Sequence, residues 1–353
     1  MEVKADQIKT NFFSLSFKDL QNLLKSQNLK EAGASLLFNY VYKKLEFSPE
    51  IPNLSKETKT FLIENITFSL PRITQTQKNT ASIVKQDTTK FLMAFPDGRR
   101  VESVLIPFQG KYTLCLSSQV GCAMNCSFCY TGTQGFDRHL STEEIVGQVV
   151  SALSWLKEIG IKERVSNIVF MGQGEPLHNM SAVRKACEVF LSQNGLSLGR
   201  EKITISTAGY LPGLKDWLSD PLPVNLALSL HSPNDNIRSE LIPLNRKYPL
   251  REILSVIQKI PLEKKRFVTF EVLLIEGLND SISFAHETAQ LIKDLNPLIN
   301  LIPFNPFPGT TYTRPSDKAI EEYKKVTESY GIATMVRRTK GDAILAACGQ
   351  LKS

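Results

Sequence analysis

The sequence predicts an α/β protein with a helical module at its amino end, and three observations carry that expectation. From about residue 108 onward, strand-like and helix-like stretches alternate, which argues for a parallel sheet built from βα units. Before residue 77 the apolar residues recur at helical spacing instead. Between these regions lie short extended runs split by turn formers such as Pro96, Asp97 and Gly98, the pattern of a small hairpin or meander. The implied division is a helical accessory domain over 1–77, a β-rich connector over 78–107, a core over 108–341 and a C-terminal segment over 342–353.

Within the first region, Leu15, Phe17, Leu20, Leu23 and Leu24 make one helical stripe, with Ser16 as its cap. A second covers 32–45, and a third covers 55–66 with Asn53 or Ser55 as its cap. These stripes bury a small core and leave Lys25, Lys30, Lys43, Lys44, Lys56 and Lys59 for outer faces that can meet RNA. The polar stretch 74–80 (TQTQKNT) reads as a linker. Extended runs follow at 81–85, 90–94 and 101–106. Strands are expected at 113–117, 167–171, 202–206, 225–230, 267–275 and 299–303, and helices at 142–159, 181–193, 249–260, 281–295 and 317–330. Ser141 and Glu144 supply a capping box to the first of these helices.

Composition narrows the class. Hydrophobic residues at 42% and charged residues at 22% describe a soluble globular protein. Six cysteines, three of them bunched, do not form a disulfide framework. No uncharged apolar run approaches the ~20 residues of a membrane span, and no basic-then-apolar leader is evident. The expectation is a cytoplasmic monomer with no membrane association. A net charge of +7 permits a polyanionic partner such as RNA without requiring one.

The most informative stretch is CAMNCSFC, which places Cys122, Cys126 and Cys129 at C-x3-C-x2-C spacing. Thiolates are soft ligands suited to iron–sulfur clusters or zinc. A four-iron cubane normally takes four cysteines, so three would leave one iron open to a small chelating molecule. A zinc knuckle short of a ligand is the plainer alternative, but zinc sites usually pair C-x2-C halves. At the strand ends, Gly174 lets the backbone approach a ligand and Glu175 can accept from an ammonium. Ser206 and Ser229 can donate to a carboxylate or ribose, and His231 also sits at a strand end. Asn305, in the rigid turn NPFPG, can read an adenine edge. Cys348 lies between small residues near the C-terminus, after the basic cluster Arg337, Arg338 and Lys340 that can lower its pKa. Cys115 lies in the first core strand, and Cys187 reads as core packing.

The cysteine spacing resembles the signature of the radical S-adenosylmethionine (SAM) superfamily. The combination of CLSSQVGCAMNCSFC, TQGFDRHL, SLHSPND, NPFPG and RRTKGD-x6-CGQL resembles the RlmN/Cfr family of RNA methyltransferases from about residue 96 to residue 351. That resemblance implies an open (β/α)6 partial barrel with its site at the carboxyl ends of the strands. It implies a 4Fe–4S cluster on Cys122, Cys126 and Cys129, and a SAM site formed by Gly174, Glu175, Ser206, Ser229, Leu230, His231 and Asn305. It further implies that Cys348 accepts a methyl from one SAM, that a second SAM yields the radical that activates this methyl, and that Cys115 closes a disulfide with Cys348 as product leaves. Glu102 matches the family's acidic residue near the methyl-bearing cysteine and is expected to help remove the C2 proton. The implied substrates are an adenosine of 23S rRNA and one of tRNA, methylated at C2, with C8 of 23S rRNA as the alternative. An electron donor such as flavodoxin with its reductase is expected. Tyr130 and Gln173 depart from the family pattern, Gln173 with no expected catalytic consequence.

Overall fold

The computed structural model describes residues 9–79, 87–261, 267–337 and 341–353. The expected strand at 81–85 and residues 338–340 of the basic cluster lie outside the described residues. In the amino-terminal module, β1 (Thr10–Asn11) precedes α1 (Phe17–Ser26), α2 (Ala32–Asn39) and α3 (Lys56–Asn65), and β2 (Ile66–Thr67) returns to pair with β1. The stripes become helices because each has an apolar face, and α1 and α3 also have a side-chain cap, which α2 lacks. Ser16 Oγ accepts from Asp19 N at 3.2 Å while the Asp19 carboxylate accepts from Ser16 N at 2.9 Å, a complete capping box. Ser55, rather than Asn53, caps α3. Phe12, Phe38 and Tyr42 pack ring against ring at 5.0–5.6 Å in the module's centre.

A ten-stranded sheet forms the rest of the frame. Its first members are β3 (Arg72–Asn79), β4 (Thr88–Ala94), β5 (Arg100–Phe108) and β6 (Lys111–Cys115), which pair antiparallel in succession. The stretch read as a linker is therefore mostly strand β3. It is polar because it is the sheet's edge, where lysine and other hydrophilic side chains discourage pairing with a second chain. The connector is likewise continuous with the main sheet, since β5 pairs along β6 with Val104 opposite Cys115.

Beyond β6 the chain makes a small hairpin of β7 (Gln119–Gly121) and β8 (Phe136–His139). It then alternates through α4 (Thr142–Glu158), β9 (Val165–Phe170), α5 (Met180–Leu191), β10 (Ile203–Thr207), α6 (Leu211–Ser219), β11 (Asn225–Ser229), α7 (Asp235–Leu241) and α8 (Leu250–Ile257). The series ends with β12 (Val268–Leu274), α9 (Ile282–Ile292), β13 (Pro297–Pro303), α10 (Asp317–Ser329) and β14 (Ala333–Val336). Strands β6 and β9 to β14 run parallel in simple order, so their carboxyl ends line one rim, where loops can gather a site. β14, α6 and α7 were not expected. The helical module packs directly on this frame. A Cβ on Gly147 of α4 would meet Pro71 Cδ at 2.5 Å, and Ser151 Oγ donates to Pro71 O at 2.9 Å.

The β7–β8 hairpin carries the cysteine loop between its strands and depends on one glycine. Gly121 has φ +72°, and a Cβ there would lie 1.7 Å from Gly135 O. Gly121→Ala combines left-handed strain with a backbone clash, so the expected loss is about 3 kcal/mol. Urea denaturation together with the iron content of reconstituted protein checks this. Unchanged stability and iron would contradict it.

Candidate active site

The cysteine loop is held from both sides. Cys122 N donates to Gly135 O at 2.8 Å, Cys129 N to Cys126 O at 3.1 Å, and Ser127 N reaches across to Leu241 O at 3.0 Å. The three thiols face one cavity of about 150 Å³ at the strand carboxyl ends, together with Gly174, Glu175, Ser206, Ser229 and His231. Burial pushes all three thiols up, Cys122 to about 12, so each keeps its proton until a metal cation displaces it. Among the described residues, no three His, Cys, Asp or Glu side chains group around a point that would hold a single ion. The thiols ring a cavity instead, which suits a polynuclear cluster better than the tetrahedral zinc alternative.

Glu175 is fully enclosed at the end of β9. Its carboxylate accepts from Leu177 N at 3.0 Å and Ala208 N at 2.8 Å. Burial outweighs these donors and pushes its pKa up to about 7. Gly174, expected as a point of close ligand approach, has a different local reason to be glycine. Its φ is +100°, and a Cβ would meet Gln119 Cβ at 2.5 Å.

His231 adopts φ +59°, and its Nδ1 accepts from Leu273 N at 3.1 Å. A backbone amide can only donate, so the ring is the Nε2–H tautomer. Burial lowers its pKa to about 3, so the ring is a neutral donor at the cavity wall and not an acid. Leu230 does not present its side chain to the cavity. It lies in the apolar core, and its N–H and C=O are bound to Glu271 O and Arg238 Nε.

Glu271, on β12, was missed. Its Oε2 accepts from Ser206 Oγ at 2.9 Å, whereas buried Oε1 has no hydrogen-bond partner. A carboxylate in the run 267–275, which is apolar but for Thr269 and Glu271, was the signal available, because a buried charge is costly without a partner or a use. That orphaned oxygen, the three thiols and the buried Glu175 together suit a cluster with a chelating, ribose-bearing cation.

Cys115 and Cys348 share a second, smaller cavity of about 60 Å³, with Asn305 and Arg337 in its wall. Cys348 also lines the larger cavity. Its sulfur-bearing side chain thus stands between the cluster thiols and Cys115, along with Met171 and Ile302. Burial pushes Cys115 up to about 12. Burial also raises Cys348, against the pull of the adjacent Arg337 guanidinium. Arg337 donates to Met171 Sδ at 3.6 Å and lies 4.0 Å from Glu271 Oε1. Arg337→Gln removes the cation that favours the thiolate, so iodoacetamide labelling of Cys348 at pH 8 should slow roughly tenfold, about one pKa unit. Equal labelling rates would refute this.

Glu102 lines neither cavity. It forms a buried ion pair with Lys90 at 2.9 Å, and its Oε2 accepts from Lys352 N at 2.9 Å. Its position on β5 therefore ties down the C-terminal segment. That segment is further strapped by Tyr130 N donating to Gly349 O at 2.6 Å and Thr131 Oγ1 to Leu351 O at 2.7 Å. Gln173 has a structural place. Its Oε1 accepts from Glu102 N at 2.8 Å, and its Nε2 donates to Gln134 Oε1 at 2.8 Å and Ser353 Oγ at 3.2 Å. Tyr130 stacks on Phe307 at 5.1 Å.

Comparison with known proteins agrees with this layout. Residues 116–283 match the radical SAM superfamily. A curated relative from Bdellovibrio bacteriovorus, described as dual-specificity RNA methyltransferase RlmN, is 40% identical over 97% of this chain and 83% of its own length. A solved radical SAM methyltransferase from Sphaerobacter thermophilus superposes with a TM-score of 0.87 at 35% identity, covering 97% of this chain and 99% of that one. No helix among the described residues is long and apolar enough to cross a membrane. The similarity covers nearly the whole chain and so takes in more than the core, and the chain belongs to the RlmN family of radical SAM methyltransferases.

Proposed function

We propose that this protein methylates C2 of an adenosine in 23S rRNA and in tRNA, using Cys348 as the methyl carrier. The observation that carries this reading is the position of Cys348 in the walls of two cavities, one shared with the cluster thiols and the other with Cys115. Aromatic C2–H is neither acidic nor nucleophilic enough for direct transfer, whereas a thiolate attacks an activated methyl readily. When bound on Cys122, Cys126 and Cys129, the cluster supplies the electron that turns SAM into a hydrogen-abstracting agent.

This chain's residues do the rest. Glu175 meets the ammonium of SAM, and Ser206, Glu271 and the Nε2–H of His231 orient its polar groups. Ser229 and Asn305 border the reacting space, with Gly174 and Leu230 shaping the backbone around it. Arg337 favours the Cys348 thiolate, which takes up the methyl group. Once a hydrogen atom is removed from that methyl, the carbon joins C2 and links RNA to Cys348, and the one electron left over on the base would return to the oxidised cluster held by Cys122, Cys126 and Cys129. Glu102 accepts the C2 proton after Lys352 releases its carboxylate, and burial, which raises its pKa, makes it the more basic. Cys115 then attacks Cys348 sulfur, forming the disulfide as the methylated RNA leaves. The protein acts as a cytoplasmic monomer, with flavodoxin and its reductase as electron source.

One peptide tests the carrier. Trypsin releases residues 341–352, which contain Cys348 as their only cysteine. Cluster-reconstituted protein given SAM without RNA or reductant should show one added methylene unit on that peptide. An unmodified peptide with SAM bound would remove the carrier role. Mapping the RNA product then separates C2 from C8.

A further inference from the structure

A row of rings runs along the same rim as the site but outside it. On β8, Phe136 lies 5.2 Å from His139 by ring centroids, and His139 lies 4.8 Å from His178 in the turn after Glu175. His178 lies 4.8 Å from Tyr210, which follows β10, and Tyr210 lies 6.0 Å from Tyr248, in the connection after α7. Lys247 Nζ sits 5.4 Å over the Tyr248 ring. The row is not sealed into the core. Phe136 is 40% exposed, His139 is exposed, and the other three rings are half-buried. Arg246, Lys247 and Arg251 are exposed beside its far end, where Glu252 and Asp235, the latter bound to Leu250 N at 3.1 Å, are the nearby carboxylates.

Gln119 ties this row to the site. Its Oε1 accepts from Glu175 N at 2.8 Å, which fixes the amide so that Nε2 faces the histidines. That nitrogen lies 3.0 Å from His139 Nδ1 and 3.3 Å from His178 Nδ1. An amide nitrogen only donates, so both histidines accept at Nδ1 and both are neutral Nε2–H tautomers. Burial lowers both pKa values, with their mutual repulsion adding to that of His139. Uncharged rings with fixed donors, in contact with one another at interplanar angles of 50–85° and flanked by cations, suit splayed, unstacked bases that pack one by one on their outward faces.

We propose that this row binds the unpaired nucleotides flanking the target adenosine, by stacking their bases on Phe136, His178, Tyr210 and Tyr248 while Arg246 and Lys247 take the phosphates. The proposal rests on the RNA-methyltransferase reading and adds where the substrate strand lies. It requires a single-stranded stretch, because bases closed in a duplex offer no free faces to the rings.

The test uses cluster-reconstituted full-length protein and a fluorescein-labelled RNA hairpin with an adenosine in its loop, compared with the same sequence closed into a duplex. Fluorescence anisotropy should give a hairpin Kd well below that for the duplex. The double variant Phe136→Ala/Tyr210→Ala should weaken hairpin binding by at least about tenfold, while still accepting a methyl on Cys348, a step that needs no RNA. Tyr210→Phe, which keeps the ring, should bind within twofold of wild type. A double variant that takes up the methyl and binds the hairpin as wild type does overturns the platform, as does equal affinity for hairpin and duplex. Loss on Tyr210→Phe equal to that of the alanine variant also overturns it. If the double variant fails to take up the methyl group, Tyr248→Ala decides by the same criterion. Wild type that methylates Cys348 yet binds neither RNA would sink the RNA reading itself.

Discussion

Cys115→Ala should leave RNA covalently attached to the protein through Cys348. The variant can still load methyl on Cys348 and join it to C2, but no thiol remains in the 60 Å³ cavity to attack the carrier sulfur. The expected result is a slow-migrating RNA–protein species under denaturing conditions and less than one released product per enzyme. Burial of a small side chain at Cys115 limits the cost to the fold to about 1 kcal/mol, so the folded variant should be recoverable. Nuclease digestion followed by peptide mass should place the nucleotide on Cys348. Multiple turnover with free methylated RNA would show that Cys115 is not the resolving thiol.

The second large effect concerns Glu175 and pH. Its pKa near 7 arises from burial opposed by two backbone donors. In the proposed contact the ammonium of SAM pairs with the ionised carboxylate and gains little from the protonated one. Below pH 7 the free site is increasingly protonated, so binding must also release a proton and affinity falls. Above pH 7 the carboxylate is already ionised and affinity levels off. The SAM Kd should therefore rise roughly tenfold per pH unit on going below 7. Glu175→Gln should abolish that dependence and cost about 2–5 kcal/mol of binding at pH 8, the usual range for a buried charge pair losing one partner. Anaerobic equilibrium dialysis between pH 5.5 and 8.5 measures both. A flat wild-type profile would rule out the assigned contact.

The sequence exposed those parts of the molecule where one residue type has few uses. Three cysteines at fixed spacing and a cysteine near the C-terminus could be placed by chemistry and resemblance, while helical stripes with Ser16 or Ser55 in front read directly. What stayed hidden depended on neighbours far along the chain. Strand β3 looked like a linker because an edge strand with exposed positions has little apolar alternation to display. Helix α6 carries Pro212 and Gly213 in its first turn, a pair whose local preference is for a turn. Gly213 is there because a Cβ would meet Leu177 O at 2.3 Å. A carboxylate in β12 was legible as an oddity, but its use was visible only when the fold put Glu271 opposite Ser206 and near Arg337. Gln173 passed as a neutral change because its partners, Glu102 and Ser353, come from opposite ends of the fold.

The strap over Cys348 has a consequence for how the protein is restored between cycles. In the proposed cycle product release consumes two thiols, and two electrons must return before another methyl can be loaded. Cys115 is 5% exposed, and the chamber around it holds only a few water-sized volumes. No protein-sized dithiol can enter it. Regeneration therefore depends either on a diffusible thiol of a few atoms or on release of the Tyr130–Gly349 and Thr131–Leu351 hydrogen bonds, which ties the supply of reducing equivalents to the loosening of the chain's own tail.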